Sequence, residues 1–403
     1  MLINIAPLKK YRDYRLLFFG QMVSFLGSMV SYVAVPYQVY ELTKSNAMVG
    51  ALGLVQLGPV LIFGILGGAY ADRLNRRKLL LISEIIMTLT VFLLMVNAAL
   101  PSPSVVAIYI LVAIMQGVLG FHRPSMEALT QKMVEPSDYS AVGALGSFRF
   151  SVGAIAGPAL GGALIASFGL KGAYFFDFLT FFVALICIYK MTSVPNPEAR
   201  QTSPLSDIKE GLSYALSKPE LIGTYLIDIV AMVFAFPVAL FPAMSEGWGG
   251  AKAAGILFSS MACGALIATL LSGWTSKVTR HGKMVVIAAS MWGLFMIGVG
   301  FASQLWIAVL FLALAGGADM ISGLFRGVIW NHSVENKMRG RLSGIEMISY
   351  MSGPLLGNAR AGWVASQTSV TISLWSGGII CFIAVVITAL LLPKFWSYVG
   401  DKK

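Results

Sequence analysis

Three ionisable side chains sit inside long apolar runs of the chain: Arg149, Asp228 and Asp319. Charge inside a run of hydrocarbon length is costly, so such residues are functional candidates by default. Each lies about two helical turns or more inside its run. Buried carboxyl groups of this kind are the usual proton carriers of membrane proteins. Asp228 and Asp319 are therefore the candidates for proton coupling, with Arg149 as charge partner or substrate anchor. The competing reading for each is a structural ion pair, or a long side chain reaching back to the interface. Glu84, Asp177 and Glu346 lie nearer the ends of their runs and are secondary candidates; Arg360 suits either an anion or the interface.

A second cluster interrupts the apolar sequence at Gly67-Gly68-Ala69-Tyr70-Ala71-Asp72-Arg73-Leu74-Asn75-Arg76-Arg77-Lys78. So many charges cannot lie in hydrocarbon, so the stretch reads as a loop at the membrane surface. Its cations place that surface on the cytoplasmic side. Asp72 closes one helix while the arginines open the next, which suits an ion-pair latch between helix ends.

These charges are exceptions in an apolar chain. Only 12% of the 403 residues are charged and 57% are hydrophobic, and the mean hydropathy is +0.79. A soluble domain carries about twice that share of charge. The net charge of +11 falls in short loops between apolar spans, which fits topology and anionic headgroups rather than nucleic acid. Cys187, Cys263 and Cys381 lie in hydrophobic runs and form neither a metal spacing nor a disulfide framework. His122, His281 and His332 are placed in separate cytoplasmic loops, again without metal-type spacing. No cleavable signal is expected at the N-terminus.

Windows of about 20 apolar residues give twelve spans, at 16–40, 46–71, 79–100, 104–122, 139–167, 171–192, 220–244, 251–275, 284–302, 305–326, 341–366 and 371–393. Most lysines and arginines fall on one face; only Lys44, Lys171 and Lys252 fall on the other. That asymmetry implies an even number of spans with both termini cytoplasmic. The longest polar segment, 193–219, holds Pro195, Pro197 and Pro204 and reads as a cytoplasmic linker. It divides an N-terminal six-helix bundle, 1–192, from a C-terminal one, 220–403. The halves repeat: Gly50 and Gly255, Gly68 and Gly273, and Lys78 and Lys283 share one offset. Arg123 and Arg326, then Gly157-Pro158 and Gly353-Pro354, follow at slightly shorter ones. The fold class is thus an all-α integral membrane protein, twelve transmembrane helices in two pseudo-symmetric bundles.

The fifth span contains Gly153, Gly157, Pro158, Gly161 and Gly162. Small residues let helices approach closely, and Pro158 removes a backbone donor. The 67–78 stretch resembles the G-x-x-x-D-R-x-G-R-R/K loop of major facilitator superfamily transporters, with Gly68, Asp72, Arg73, Arg76 and Arg77 matching. Asn75 replaces the second glycine and is the next most tolerant residue of a left-handed turn. The fifth span resembles the G-x-x-x-G-P-x-x-G-G signature of the drug-exporting branches. Ala113-Ile114-Met115-Gln116-Gly117 keeps their fourth-span Gln-Gly but has Ala113 at the arginine position, so Arg149 is the candidate replacement. Pro101–Tyr109, and Arg149 ahead of the Gly-Pro, resemble the enterobactin (siderophore) exporter family. Gly20–Ser24 and Phe121–Ser125 resemble the related macrolide-efflux proteins.

The resemblance implies that the first, fourth, seventh and tenth spans line a central cavity, which Asp228 and Asp319 would face. It implies proton-coupled export of a siderophore or drug-like small molecule across the bacterial inner membrane by alternating access, with macrolide or multidrug efflux as the alternative and import less favoured. The proton gradient supplies the energy; no cofactor or metal is expected. Lipid and the transported compound are the partners, nucleic acid is not, and the chain is expected to be a monomer. Tyr32, Tyr37, Gln38 and Gln56 are polar enough to line a pocket, and Pro36 and Pro59 suit kinks. A membrane enzyme would need converging nucleophile, base or metal ligands that the sequence does not supply. A non-transporting receptor would show no solute flux.

Overall fold

Apolar runs must satisfy their own backbone hydrogen bonds in hydrocarbon, and helices do so within one segment. The computed structural model describes residues 4–71, 75–192, 204–335 and 338–400, with the backbone alone at 65–71, 204–208, 340–341, 343–344 and 347. Among the described residues there is helix and no strand. The helices of the first part are α1 (Ala6–Lys10), α2 (Arg12–Thr43), α3 (Asn46–Ala71), α4 (Arg76–Ala99), α5 (Val105–Met133) and α6 (Tyr139–Tyr189). They are followed by α7 (Pro204–Leu216), α8 (Pro219–Ala235), α9 (Phe241–Glu246), α10 (Ala251–Leu270) and α11 (His281–Gly300). The last four are α12 (Leu305–Ser333), α13 (Arg339–Gln367), α14 (Val370–Leu391) and α15 (Pro393–Trp396).

Ten described segments are long and apolar enough to cross a membrane, against the twelve expected. The difference arises in two places. The expected spans 139–167 and 171–192 are joined in α6, where Gly169 at φ 69° breaks the helical backbone. A straight helix of that length would run about 76 Å, more than twice a hydrocarbon core, so the break at glycine is what makes the length usable. The expected span 341–366 falls in α13, which carries Arg339, Arg341, Glu346 and Arg360 and is less apolar than the ten. Large apolar side chains such as Phe168, Leu270 and Leu390 remain exposed, as a surface facing hydrocarbon requires.

The chain divides into two compact units, residues 1–42 with 58–201 and residues 43–57 with 202–403. In the first, α6 lies close against α2: a Cβ at Gly157 would meet Met29 and Leu26, and one at Gly161 would meet the backbone of Val30. In the second, α13 lies against α8 in the same way, with Gly353 and Gly357 facing Met232. Local signals fix the ends. Asn75 caps α4 by accepting from Lys78 N, with φ −63°, so it serves as an N-cap and not as a left-handed turn. Ser104 caps α5, and Asn97 holds the preceding turn by bonding both Ser104 N and Ser104 O.

α8 stops at Phe236-Pro237, which leaves polar backbone groups without helical partners. Residues of α13 supply them. Asn358 Oδ1 accepts from Ala239 N at 2.9 Å, and Arg360 Nη1 donates to Phe234 O at 3.1 Å. Arg360 also donates to Ser373 O and Ser376 Oγ. It is turned inward onto carbonyls rather than outward to an interface, and a cation at the C-terminal end of α8 is favourably placed.

Candidate functional site

The second unit brings Asp228 and Asp319 together, and the residue that joins them is Arg326. Asp228 comes from α8; Asp319 and Arg326 lie two turns apart on one face of α12. Arg326 Nη1 stands 2.5 Å from Asp228 Oδ1, and Nη2 stands 3.6 Å from Asp319 Oδ1. The Asp228 side chain is buried while that of Asp319 is 40% exposed, so the two acids are not equivalent. A small cavity opens beside them, lined also by Met232, Trp292 and Ser322. The Trp292 indole N–H and Arg326 Nε are buried without a hydrogen-bond partner among the described residues. Both are donors only, and the cavity itself presents two acids and the Trp292 indole against an apolar wall, with the Arg326 cation held by the acids beside it. In the sequence Arg326 stands only as the end of the 305–326 span and the repeat match of Arg123, not as a site residue. The helix runs on to Ser333, which places Arg326 inside it.

In the first unit Arg149, on α6, is half-buried and its Nη1 reaches Met126 Sδ at 3.6 Å. No acid stands against it among the described residues. Gly153, Gly157 and Gly161 face α2, as a close packing face requires, with Gly153 set against Phe25; Pro158 and Gly162 are buried within α6. Of the latch candidates, Asp72 and Arg73 lie outside the described residues, and Gly68 lies in the last turn of α3. Arg76 opens α4. Arg77 donates to Ile188 O and to Tyr189 O, at 3.3 and 2.7 Å, and so closes the C-terminal end of α6.

Glu84 and Asp177, secondary candidates because they lie nearer run ends, are both fully buried. Glu84 Oε1 accepts from Gln21 Nε2 and meets His122 Nε2 at 3.1 Å. His122 lies inside α5 rather than in a loop, because that helix continues eleven residues beyond the expected end of its span. Ser31 donates to Asp177 Oδ2 and Thr180 to Oδ1. Gln38 accepts from Tyr174 at 2.8 Å in the interior. The signal that could have found the Glu84 cluster is a titratable pair on neighbouring antiparallel spans, visible only once their register is known.

The chain as a whole is similar to known proteins. The enterobactin exporter EntS of Salmonella typhi is 28% identical over 396 residues, covering 97% of this chain and 94% of the relative. The EntS of Shigella boydii serotype 18 is 26% identical over 397 residues, with 98% and 95% covered. Among solved structures the nucleoside transporter NupG superposes with a TM-score of 0.72 at 13% identity, covering 95% of this chain and 98% of that one. A bacterial homologue of the human lysosomal transporter Spinster, inward-facing and unoccupied, gives 0.71 at 16% identity over 96% and 97%. These two share the fold. The model of the family described as transmembrane secretion effector matches residues 3–398. The chain therefore belongs to that family, and is a multi-pass membrane transporter of the major facilitator type.

Proposed function

We propose that the chain exports a siderophore or drug-like compound across the bacterial inner membrane, in exchange for protons, by alternating access. The observation that carries this reading is the end-to-end likeness to enterobactin exporters. The Asp228–Arg326–Asp319 cluster supports it, since it holds acids that can carry a proton against a fixed cation within the helices. Arg326 sits closer to Asp228, which leaves Asp319, the more open acid, to exchange the proton. Arg149 is the substrate anchor in the first unit. Two six-helix bundles, 1–192 and 220–403, rock about the central site with 193–219 as their cytoplasmic linker. Both termini are cytoplasmic, and the working form is a monomer. Asp72 with Arg73, Arg76 and Arg77 forms the latch that steadies the outward-facing state.

The test is efflux from cells lacking their own exporters and expressing this chain, supplied in parallel with a catecholate siderophore and a macrolide. Siderophore leaves the cell, and a protonophore stops it. Macrolide efflux alone moves the protein to drug export, and flux of neither sinks the reading. Asp319→Asn weakens dependence on the pH gradient, and Asp72→Asn slows efflux at unchanged protein abundance. Normal rates in the second variant remove the latch.

A further inference from the structure

The interior of the first unit holds a titratable pair that the central acids do not explain. Glu84 of α4 is fully buried, and its Oε1 takes both available donors, Gln21 Nε2 from α2 and His122 Nε2 from α5. Its other oxygen, Oε2, is buried with no hydrogen-bond partner among the described residues. His122 is itself 7% exposed. The groups facing the pair from each neighbouring helix are few. From α2 it is the uncharged Gln21. From α6 it is Asp177, which interacts electrostatically with Glu84 and is likewise an acid. No lysine or arginine comes to Glu84 among the described residues.

With Glu84 ionised and His122 neutral, the dyad is a net negative charge in a buried site with one oxygen lacking a protein partner among the described residues. That state is costly. One proton removes the cost: bound to the imidazole it makes an ion pair of zero net charge, and bound to Oε2 it makes a neutral carboxyl group. Either form keeps the contact between Oε1 and Nε2. Imidazole is a side chain able both to bind and to release a proton. All three residues lie about 12 to 17 Å from the same-side ends of their helices, well within hydrocarbon reach.

We propose that Glu84 and His122, positioned by Gln21, form a second proton-binding site, separate from Asp228 and Asp319, that takes up and releases one proton per transport cycle. This rests on the proton-coupled export proposed above. Nothing but the proton moves: it enters the dyad as the net charge goes from minus one to zero, and it leaves on the opposite half of the cycle.

Two measurements on the full-length protein test it. Nitrogen NMR of ring-labelled histidine, across about pH 5 to 9, follows His122, His281 and His332 in one sample, with His122→Gln giving the assignment. His122 titrates, and Glu84→Gln moves its midpoint by about one pH unit or more while the other two stay fixed. An imidazole that holds one form throughout, or that ignores Glu84→Gln, overturns the site. The second measurement is accumulation of a catecholate siderophore in everted vesicles with the membrane potential clamped. Each coupled proton contributes about tenfold accumulation per unit of pH gradient. Native protein shows about a hundredfold dependence, and Glu84→Gln and His122→Gln fall to about tenfold, while gradient-free exchange of siderophore persists. Unchanged steepness in both variants overturns the coupling. If native protein moves neither siderophore nor macrolide, the export reading fails and the histidine titration alone decides the proton site.

Discussion

The two units are built on one plan and differ in what neutralises their buried acids. In each, a glycine-bearing helix lies against its partner, α6 on α2 and α13 on α8. In each, a tyrosine hydroxyl accepts from the backbone of a glutamate just past a long helix, Tyr11 from Glu135 N and Tyr214 from Glu335 N. The charge does not repeat. The second unit sets a permanent cation, Arg326, against Asp228, whereas the first sets a titratable imidazole, His122, against Glu84. At the position matching Arg326 in the sequence repeat, Arg123 is exposed and, among the described residues, pairs with Glu127, one turn along its own helix. Duplication preserved the packing that both copies need; the interior charges diverged because each copy handles charge differently.

The largest effect expected from this contrast is at Arg326. Removing it strands a buried carboxylate, and breaking such a pair costs about 3 kcal/mol or more. Arg326→Ala therefore lowers the melting temperature in detergent by several degrees. Asp228→Asn in the same background recovers most of that loss by removing the stranded charge, which a double-mutant cycle reads directly. Glu84→Gln strands nothing and leaves the melting temperature close to native. Equal losses from Arg326→Ala and Glu84→Gln would break the contrast between a fixed and a titratable neutraliser.

The next effect separates the two glycine faces. A Cβ at Gly157 meets the Cβ of Met29, which cannot swing away, and the carbonyl of Leu26. At Gly353 it also meets a methionine Cβ, that of Met232, but at 2.9 Å, farther off than Met29 is at Gly157, and the nearest backbone atom is 3.7 Å away rather than 3.1 Å. Gly157→Ala costs about 1–3 kcal/mol through overpacking. Gly353→Ala costs under about 1 kcal/mol, because the helix propensity gained by alanine offsets part of the strain. Thermal unfolding of the two variants side by side decides it, and a reversed order places the tighter interface in the second unit.

How much of this was legible in the sequence follows from the range of each signal. Apolar length and the repeated offsets carry the helical membrane fold, because they depend on residues close in sequence and on the solvent around them. The pairing of Asp228 with Asp319 was accessible as two acids at similar depth. Arg326 was not, since apolarity fades two turns before α12 ends and a cation there looks like a loop residue. His122 was misplaced for the same reason: α5 runs on past it to Met133. Asn75 shows the converse, a residue whose type was read for its tolerance of a left-handed turn but whose side chain caps α4. Arg360 could be seen as a buried cation, yet its partners are carbonyls freed by a helix break, and a break is a tertiary fact.

The smallest effect tests whether the repeated tyrosines still do the same work. Tyr11 donates to the Asp138 carboxylate at 2.8 Å, while Tyr214 donates to the Ser333 carbonyl at 3.1 Å. Beside them Lys10 and Lys218 each lie over the neighbouring tyrosine ring. Glu135 beside Lys10, with Tyr11 and Asp138, holds that ammonium protonated well above the usual lysine range. A raised lysine value stabilises fully below the ordinary value near about 10.4 and is lost only as pH rises through the folded one, so it is constant near neutrality. Tyr11→Phe and Tyr214→Phe each cost about 1 kcal/mol or less, the net worth of a partly exposed hydrogen bond. Only the first loses part of its effect in high salt, because its acceptor is charged and its neighbours are an exposed ion cluster. Melting curves at low and high salt, at neutral pH, report this. Identical salt responses would mean that the carboxylate of Asp138 contributes no more than the plain carbonyl that stands in its place in the second unit.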